Sequence, residues 1–144
     1  MTHSQDICAD VLIITVTPVE SRAVLEAFEQ ATGEKANSVT VEDRTYRNLG
    51  TINGSKVFMA FSKMGSMGLG ASQQAVQKSV EALNPQAVIM VGIAFGMNEE
   101  KQAIGDILVA EQLMLYESQR ISMGEIVSRG SKVPCATSLY SYLY

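Results

Sequence analysis

One carboxylate in this chain stands where catalytic chemistry is available to it. Glu20 lies in the stretch "TVTPVESR" (Thr15 to Arg22), directly behind the apolar run Val11 to Ile14. Thr17 has the side chain of a helix N-cap, and Pro18 then falls at the first helical position, where a missing N–H costs nothing. Glu20 follows Thr17 by three residues, the spacing of a capping box in which the carboxylate returns to the Thr17 N–H. Two readings therefore stand side by side. Glu20 caps a helix, or it is a carboxylate at a strand-to-helix turn that serves as a general base.

Two glycine-rich stretches are the other candidates. "GSMGLG" (Gly65 to Gly70) can turn backbone N–H groups onto an anion beside a helix start, or it is a tight turn that needs glycine. Its order, G-x-x-G-x-G, is not the dinucleotide fingerprint, and no P-loop Lys-Ser/Thr follows. Lys63 next to it adds positive charge or is simply solvated. In "GIAFG" (Gly92 to Gly96) the small residues allow a close backbone approach to a ligand, or a turn. Phe95 can stack on a flat base, although filling core is the simpler role. Glu99, Glu100 and Lys101 read as a solvated loop, and Asp106 as the cap of a turn. The single histidine, His3, lies in a polar start, so a histidine triad or histidine-ligated zinc would have to use it. Cys8 and Cys135 are too far apart for a metal motif and too few for a disulfide framework, which points to a reducing cytoplasm. No cofactor and no metal are expected.

The elements that position these residues follow from hydropathy. Val11–Ile14 is a continuous apolar run rich in β-branched residues, as in a strand buried on both faces. Val19, Ala23, Val24, Ala27, Phe28 and Ala31 recur at helical spacing behind it. Val39, Val41 and Tyr46 alternate as in a half-exposed strand. Asn53-Gly54 marks a hairpin whose return strand is Lys56 to Phe61. Leu69 to Leu83 is helical, with Ala71, Ala75, Val76, Val80 and Leu83 on one face. Ala87 to Val91 is a second apolar strand that runs into "GIAFG". "DILVAEQLMLY" (Asp106 to Tyr116) is a third, unusually long strand signal, and "SLYSYLY" reads as a helix just beginning. Residues 1–10 read as a flexible tail and 11–144 as one domain. Alternating strands and helices with a hairpin predict an α/β domain with a mixed, mostly parallel sheet. Ligands of such sheets lie outside the carboxyl ends of the strands, where the Glu20, Gly65 and Gly92 loops converge.

Composition excludes several roles. The chain has 144 residues, a net charge of −4 and no basic cluster, which argues against nucleic acid and anionic membranes as partners. No apolar run reaches the length of a membrane span.

Taken in order, "VLIITVTPVESRAVLEAF", "FSKMGSMGLGAS", "NPQAVIMVGIAFGMN" and "IGDILVAEQLMLYESQRI" resemble the nucleoside phosphorylase and nucleosidase superfamily, nearest the 5′-methylthioadenosine/S-adenosylhomocysteine nucleosidases. The resemblance implies a three-layer α/β/α sandwich and cleavage of the N-glycosidic bond of a purine nucleoside, with water or phosphate attacking. It implies that Glu20 orients and deprotonates water. It implies a substrate-binding set of Val16, Thr17, Met64, Gly65, Gly92, Ile93, Ala94, Phe95 and Gly96.

The chain departs from the family pattern in two places. Ile93 stands where nucleosidases carry serine, and Phe95 where they carry a small residue, so a reshaped or narrowed pocket is expected. The family's ribose-binding Met-Glu motif and base-protonating aspartate have no counterpart after Tyr116, so the chain is expected to be the N-terminal portion of a longer domain. Self-association is expected, as relatives form dimers or rings. The principal reading is hydrolysis of an adenosine-type nucleoside. The alternatives are a phosphorylase, with Arg22 meeting phosphate, and a non-catalytic nucleotide-sensing domain that keeps the fold.

Overall fold

The computed structural model describes residues 7–63, 72–114, 119–122, 125–128 and 132–141. The chain divides into two compact units, Met1–Ile93 and Ala94–Tyr144.

The first unit runs β1 (Val11–Thr15), α1 (Pro18–Thr32), β2 (Asn37–Val41), β3 (Arg44–Ile52), β4 (Ser55–Phe61), α2 (Ser72–Leu83) and β5 (Ala87–Met90). These five strands form one sheet in the order β2-β3-β4-β1-β5. β1 lies parallel to both β4 and β5, whereas β2–β3 and β3–β4 are antiparallel. The alternation along β1 separates two cores. Leu12 and Ile14 pack with Tyr46, Phe58, Ala60 and Leu83, joined by Val76 and Ala82 of α2. Ile13 packs on the other side with Leu49, Val57, Met59 and Val24, joined by Leu25 and Phe28 of α1. One helix covers each face, so the unit is an α/β/α sandwich with β1 inside the sheet, between β4 and β5.

Asp10 closes the amino-terminal edge of this sheet. Its carboxylate accepts from the Lys56 N–H at 2.7 Å and the Gln86 side-chain amide at 3.1 Å, and its carbonyl accepts from the Gln86 and Ala87 N–H groups. Ala9 beside it is buried and donates to the Leu83 carbonyl. The first strand is therefore fixed to β4 and β5 before its apolar run begins.

Several elements differ in detail from the expectation. Of the apolar set read on α1, Val24 is buried and Phe28 packs on the core, but Val19 is 64 % exposed and Ala23, Ala27 and Ala31 are exposed as well. The buried seam runs through Val24, Leu25 and Phe28. Alanine favours helix on any face, so it reports the seam poorly. On α2, Val80 faces outward and Ser79 is buried instead. Leu69 and Ala71, placed in the same helix by sequence, lie outside the described residues. The segment read as one strand through Tyr46 is broken at Glu42, whose φ of 55° turns the chain, and Tyr46 is fully buried on β3. Asn53 and Gly54 both have positive φ, 50° and 83°, the backbone of a type I′ hairpin turn.

The second unit is built from short pieces. β6 (Gln112–Met114) pairs with β9 (Lys132–Pro134), and β7 (Gln119–Ser122) pairs with β8 (Glu125–Ser128), both antiparallel. α3 (Thr137–Tyr140) is a single turn. Of the long strand expected over Asp106–Tyr116, the described residues realise Gln112–Met114, Asp106–Ala110 has no strand pairing, and Leu115 and Tyr116 lie outside the described residues. An apolar run states what can be buried, but a strand also needs a neighbour for its backbone groups. Among the described residues, no helix is long and apolar enough to cross a membrane.

Candidate active site at the carboxyl ends of the first strands

Local chemistry places Glu20. Thr17 is extended at the N-cap of α1, and its hydroxyl accepts from the Glu20 N–H at 3.3 Å. The Glu20 carboxylate returns the contact, its Oε2 accepting from the Thr17 N–H at 2.8 Å and the Val16 N–H at 3.1 Å. The capping box is therefore formed. The other oxygen does something no local spacing announces. Oε1 accepts from the Ile93 N–H at 3.0 Å, across 73 positions of sequence, just beyond β5. One carboxylate thus joins the exit of β1 to the exit of β5.

A carboxylate offers about four lone-pair directions. Three are engaged by Val16, Thr17 and Ile93, which leaves one direction, on Oε1. The Ile93 N–H holds the Glu20 carboxyl below its ordinary value of 4.5, assisted by the Thr17 and Val16 N–H groups and the Thr17 hydroxyl, and opposed by partial burial. Glu20 is a fixed anion throughout the neutral range.

This shift has a consequence for stability. The folded state holds the ionised carboxylate better than the unfolded chain does, so the contribution is complete above the unfolded value near 4.5 and is lost as pH falls through the lower folded value. Melting curves of the wild type and Glu20→Gln are expected to differ most at neutral pH and to converge as the pH drops below 4.5. A constant gap across that range would contradict the assignment.

Gly92 is the second requirement. A Cβ built on it would stand 3.1 Å from Glu20 Oε1 and 3.6 Å from its Cδ. The carboxylate is pinned by three donors and cannot retreat without lengthening one of them. The close approach that small residues permit here is filled by Glu20. Gly92→Ala is expected to weaken the Ile93 bond and raise the Glu20 carboxyl toward its ordinary value, which titration of the side-chain carboxyl by NMR would detect. An unchanged titration would mean that the loop absorbs the methyl group elsewhere.

The structure brings together Glu20, Val16, Thr17, Gly92 and Ile93 of the candidate set. The N–H groups of Val16, Thr17 and Ile93 are committed to the carboxylate, so a ligand here meets the remaining Glu20 direction and the side chains. The Ile93 side chain is 78 % exposed. Met64 and Gly65 lie outside the described residues. Ala94, Phe95 and Gly96 belong to the second unit, where Phe95 is 92 % exposed, which overturns its reading as core filler. Asp106 caps its turn by accepting from the Ala103 N–H at 2.8 Å. Among the described residues, no three of His, Cys, Asp or Glu gather as metal ligands.

Sequence reasoning missed two residues. Thr15, the last residue of β1, has its hydroxyl 2.8 Å from that of Ser21, and the Ser21 hydroxyl donates to the Thr17 carbonyl at 3.1 Å. A threonine and a serine six apart carry no recognisable signal.

Comparison with known proteins fits this architecture. Residues 10–137 match the Phosphorylase superfamily, and the chain belongs to that family. It is similar to two curated proteins named ATP nucleosidase Cap17, from Escherichia coli strain KTE188 and from Escherichia coli. Each is 29 % identical over 113 residues, covering 75 % of this chain and 21 % of the relative. The chain spans about a fifth of the length of these relatives. No solved structure matches it significantly.

Proposed function

We propose that this protein cleaves the N-glycosidic bond of an adenosine-type nucleoside or nucleotide with water, and that Glu20 is its catalytic carboxylate. The observation that carries the reading is the pinned Glu20 anion with one open acceptor direction at the carboxyl ends of β1 and β5. Cleavage of such a bond builds positive charge on the sugar before the nucleophile is fully bonded. A preorganised anion stabilises that charge without reorganising, and its open lone pair fixes the attacking water. A carboxyl held below 4.5 is a weak base. Weak basicity suffices when the proton leaves water late, after the sugar cation has formed. Orientation and charge stabilisation therefore dominate over proton abstraction. The same fixed negative charge repels phosphate, which favours hydrolysis over phosphorolysis.

The name of the Escherichia coli relatives adds the triphosphate to the substrates worth testing. A cytoplasmic setting and self-association are part of this reading. The exposed Ile89 and Met90 on β5, the last strand of the sheet, support self-association. The saturation of Glu20 by N–H donors also fits a binder that has kept the fold and given up turnover. The test is adenine release from adenosine, methylthioadenosine, S-adenosylhomocysteine and ATP, with and without phosphate, by the chain and by Glu20→Gln. Release that is independent of phosphate and lost in the variant supports hydrolysis at Glu20. Binding without release supports the sensor.

A further inference from the structure

We propose that Thr15 and Ser21 are positioning residues for Glu20, a hydroxyl relay that ties the first turn of α1 to the end of β1 and so aims the N–H groups holding the carboxylate. The Ser21 hydroxyl has one proton, and it donates that proton to the Thr17 carbonyl at 3.1 Å. The 2.8 Å contact between the Thr15 and Ser21 hydroxyls must then run from Thr15 to Ser21. The relay is Thr15 to Ser21 to the carbonyl of Thr17, the residue whose own N–H and hydroxyl both engage Glu20.

The two ends of the relay differ in rigidity. Thr15 is fully buried and its strand pairs with β4 and β5, and its carbonyl accepts from the Ser62 N–H at 2.9 Å. The start of a helix frays more readily than an inner strand paired on both sides. Two of the three donors to Glu20, Val16 and Thr17, lie in the short turn between them. A serine bonding back to the carbonyl four residues earlier is a common local habit of helices. The link from Thr15 to Ser21 has no such local cause, and it is what transmits the position of the sheet to the turn.

The functional consequence rests on the proposed role of Glu20, whereas the positioning itself is measured without turnover. The groups acting on the Glu20 carboxyl are the N–H groups of Ile93, Thr17 and Val16 and the Thr17 side chain, none of them charged. The experiment follows the carboxyl carbons of the 144-residue chain by NMR through an acid titration, with Glu20→Gln assigning the signal. Thr15→Val removes the relay's donor at nearly constant volume, Ser21→Ala removes its centre, and Thr15→Ser keeps the hydroxyl. Glu20 is expected to titrate higher in Thr15→Val and Ser21→Ala than in the wild type, and at the wild-type value in Thr15→Ser. Adenine release is expected to fall roughly ten- to a hundredfold in kcat with little change in KM in the first two variants, and to be retained in Thr15→Ser. If Thr15→Val fails to fold, Ser21→Ala alone decides the matter. A Glu20 titration unmoved in the folded variants overturns the proposal. Full release by Glu20→Gln overturns the proposed function instead and leaves the titration result standing.

Discussion

From the role proposed for it, Glu20→Gln is expected to lower adenine release by about a hundred- to a thousandfold while the protein stays folded. The count of donors to the carboxylate sets this outcome. The wild-type carboxylate presents one oxygen to Val16 and Thr17 and the other to Ile93. Glutamine has a single oxygen. Capping boxes accept glutamine as well as glutamate, so the oxygen goes to Val16 and Thr17 and the cap of α1 survives. The amide nitrogen then faces the Ile93 N–H, donor against donor, and the bond to Ile93 is lost. The variant thus removes both the anion and the side-chain tie between the exits of β1 and β5, while leaving the strand ladder and the helix start in place. Circular dichroism and a urea titration check the fold, and adenine release checks the activity. Retained turnover in a folded variant would remove Glu20 from the chemistry.

Leu12→Ala has the largest effect on stability, expected at about 2–5 kcal/mol. Leu12 is fully buried on an inner strand, with Phe58 opposite it on β4 and Val88 opposite it on β5. It shares its core with Ile14, Tyr46, Ala60 and Leu83. Neighbours held in two ladders cannot collapse into the space left by the side chain, so the cavity cost adds to the lost transfer energy. Against a total stability of about 5–15 kcal/mol, the loss is a large fraction. Val19→Ala is the matched control: Val19 is 64 % exposed on α1, and its truncation is expected to stay within about 0.5 kcal/mol. Urea midpoints of the two variants test this directly. Equal small shifts would mean that β1 is not the centre of the core.

The two experiments touch neighbouring parts of one design. Leu12 and Ile14 hold β1 in the sheet, Thr15 ends it, and Glu20 stands one helical turn beyond. The relay through Ser21 couples them. Loss of the core unfolds the site, whereas loss of the relay leaves the core and disturbs only the aim of the turn. Stability and the Glu20 titration therefore report on different links of the same chain of contacts.

Local features of this protein were legible in its residues. The run Val11–Ile14 announced a buried strand because β-branched residues on both faces suit no other common element of that length. Thr17, Pro18 and Glu20 announced the helix start through contacts that span three residues, and Asn53-Gly54 announced the hairpin through backbone preferences of two. Such signals are short-range, and the same atoms make them in the folded protein. The burial of α1 was read less well, because alanine favours helix without favouring burial. Of the strand expected over Asp106–Tyr116, only Gln112–Met114 is paired among the described residues, because pairing depends on a partner that periodicity does not contain.

The sequence by itself determined the buried first strand, the helix cap and the place of Glu20 at the helix start. Only the tertiary structure decided which groups that carboxylate meets. Its reach to Ile93 crosses 73 positions, its crowding by Gly92 exists only where β5 lies beside β1, and its anchorage through Thr15 and Ser21 depends on a helix start packed on a strand end. Each of these is a distance between groups remote in sequence or without a local pattern. The pairing of parallel strands sets those distances, and no spacing along the chain encodes them.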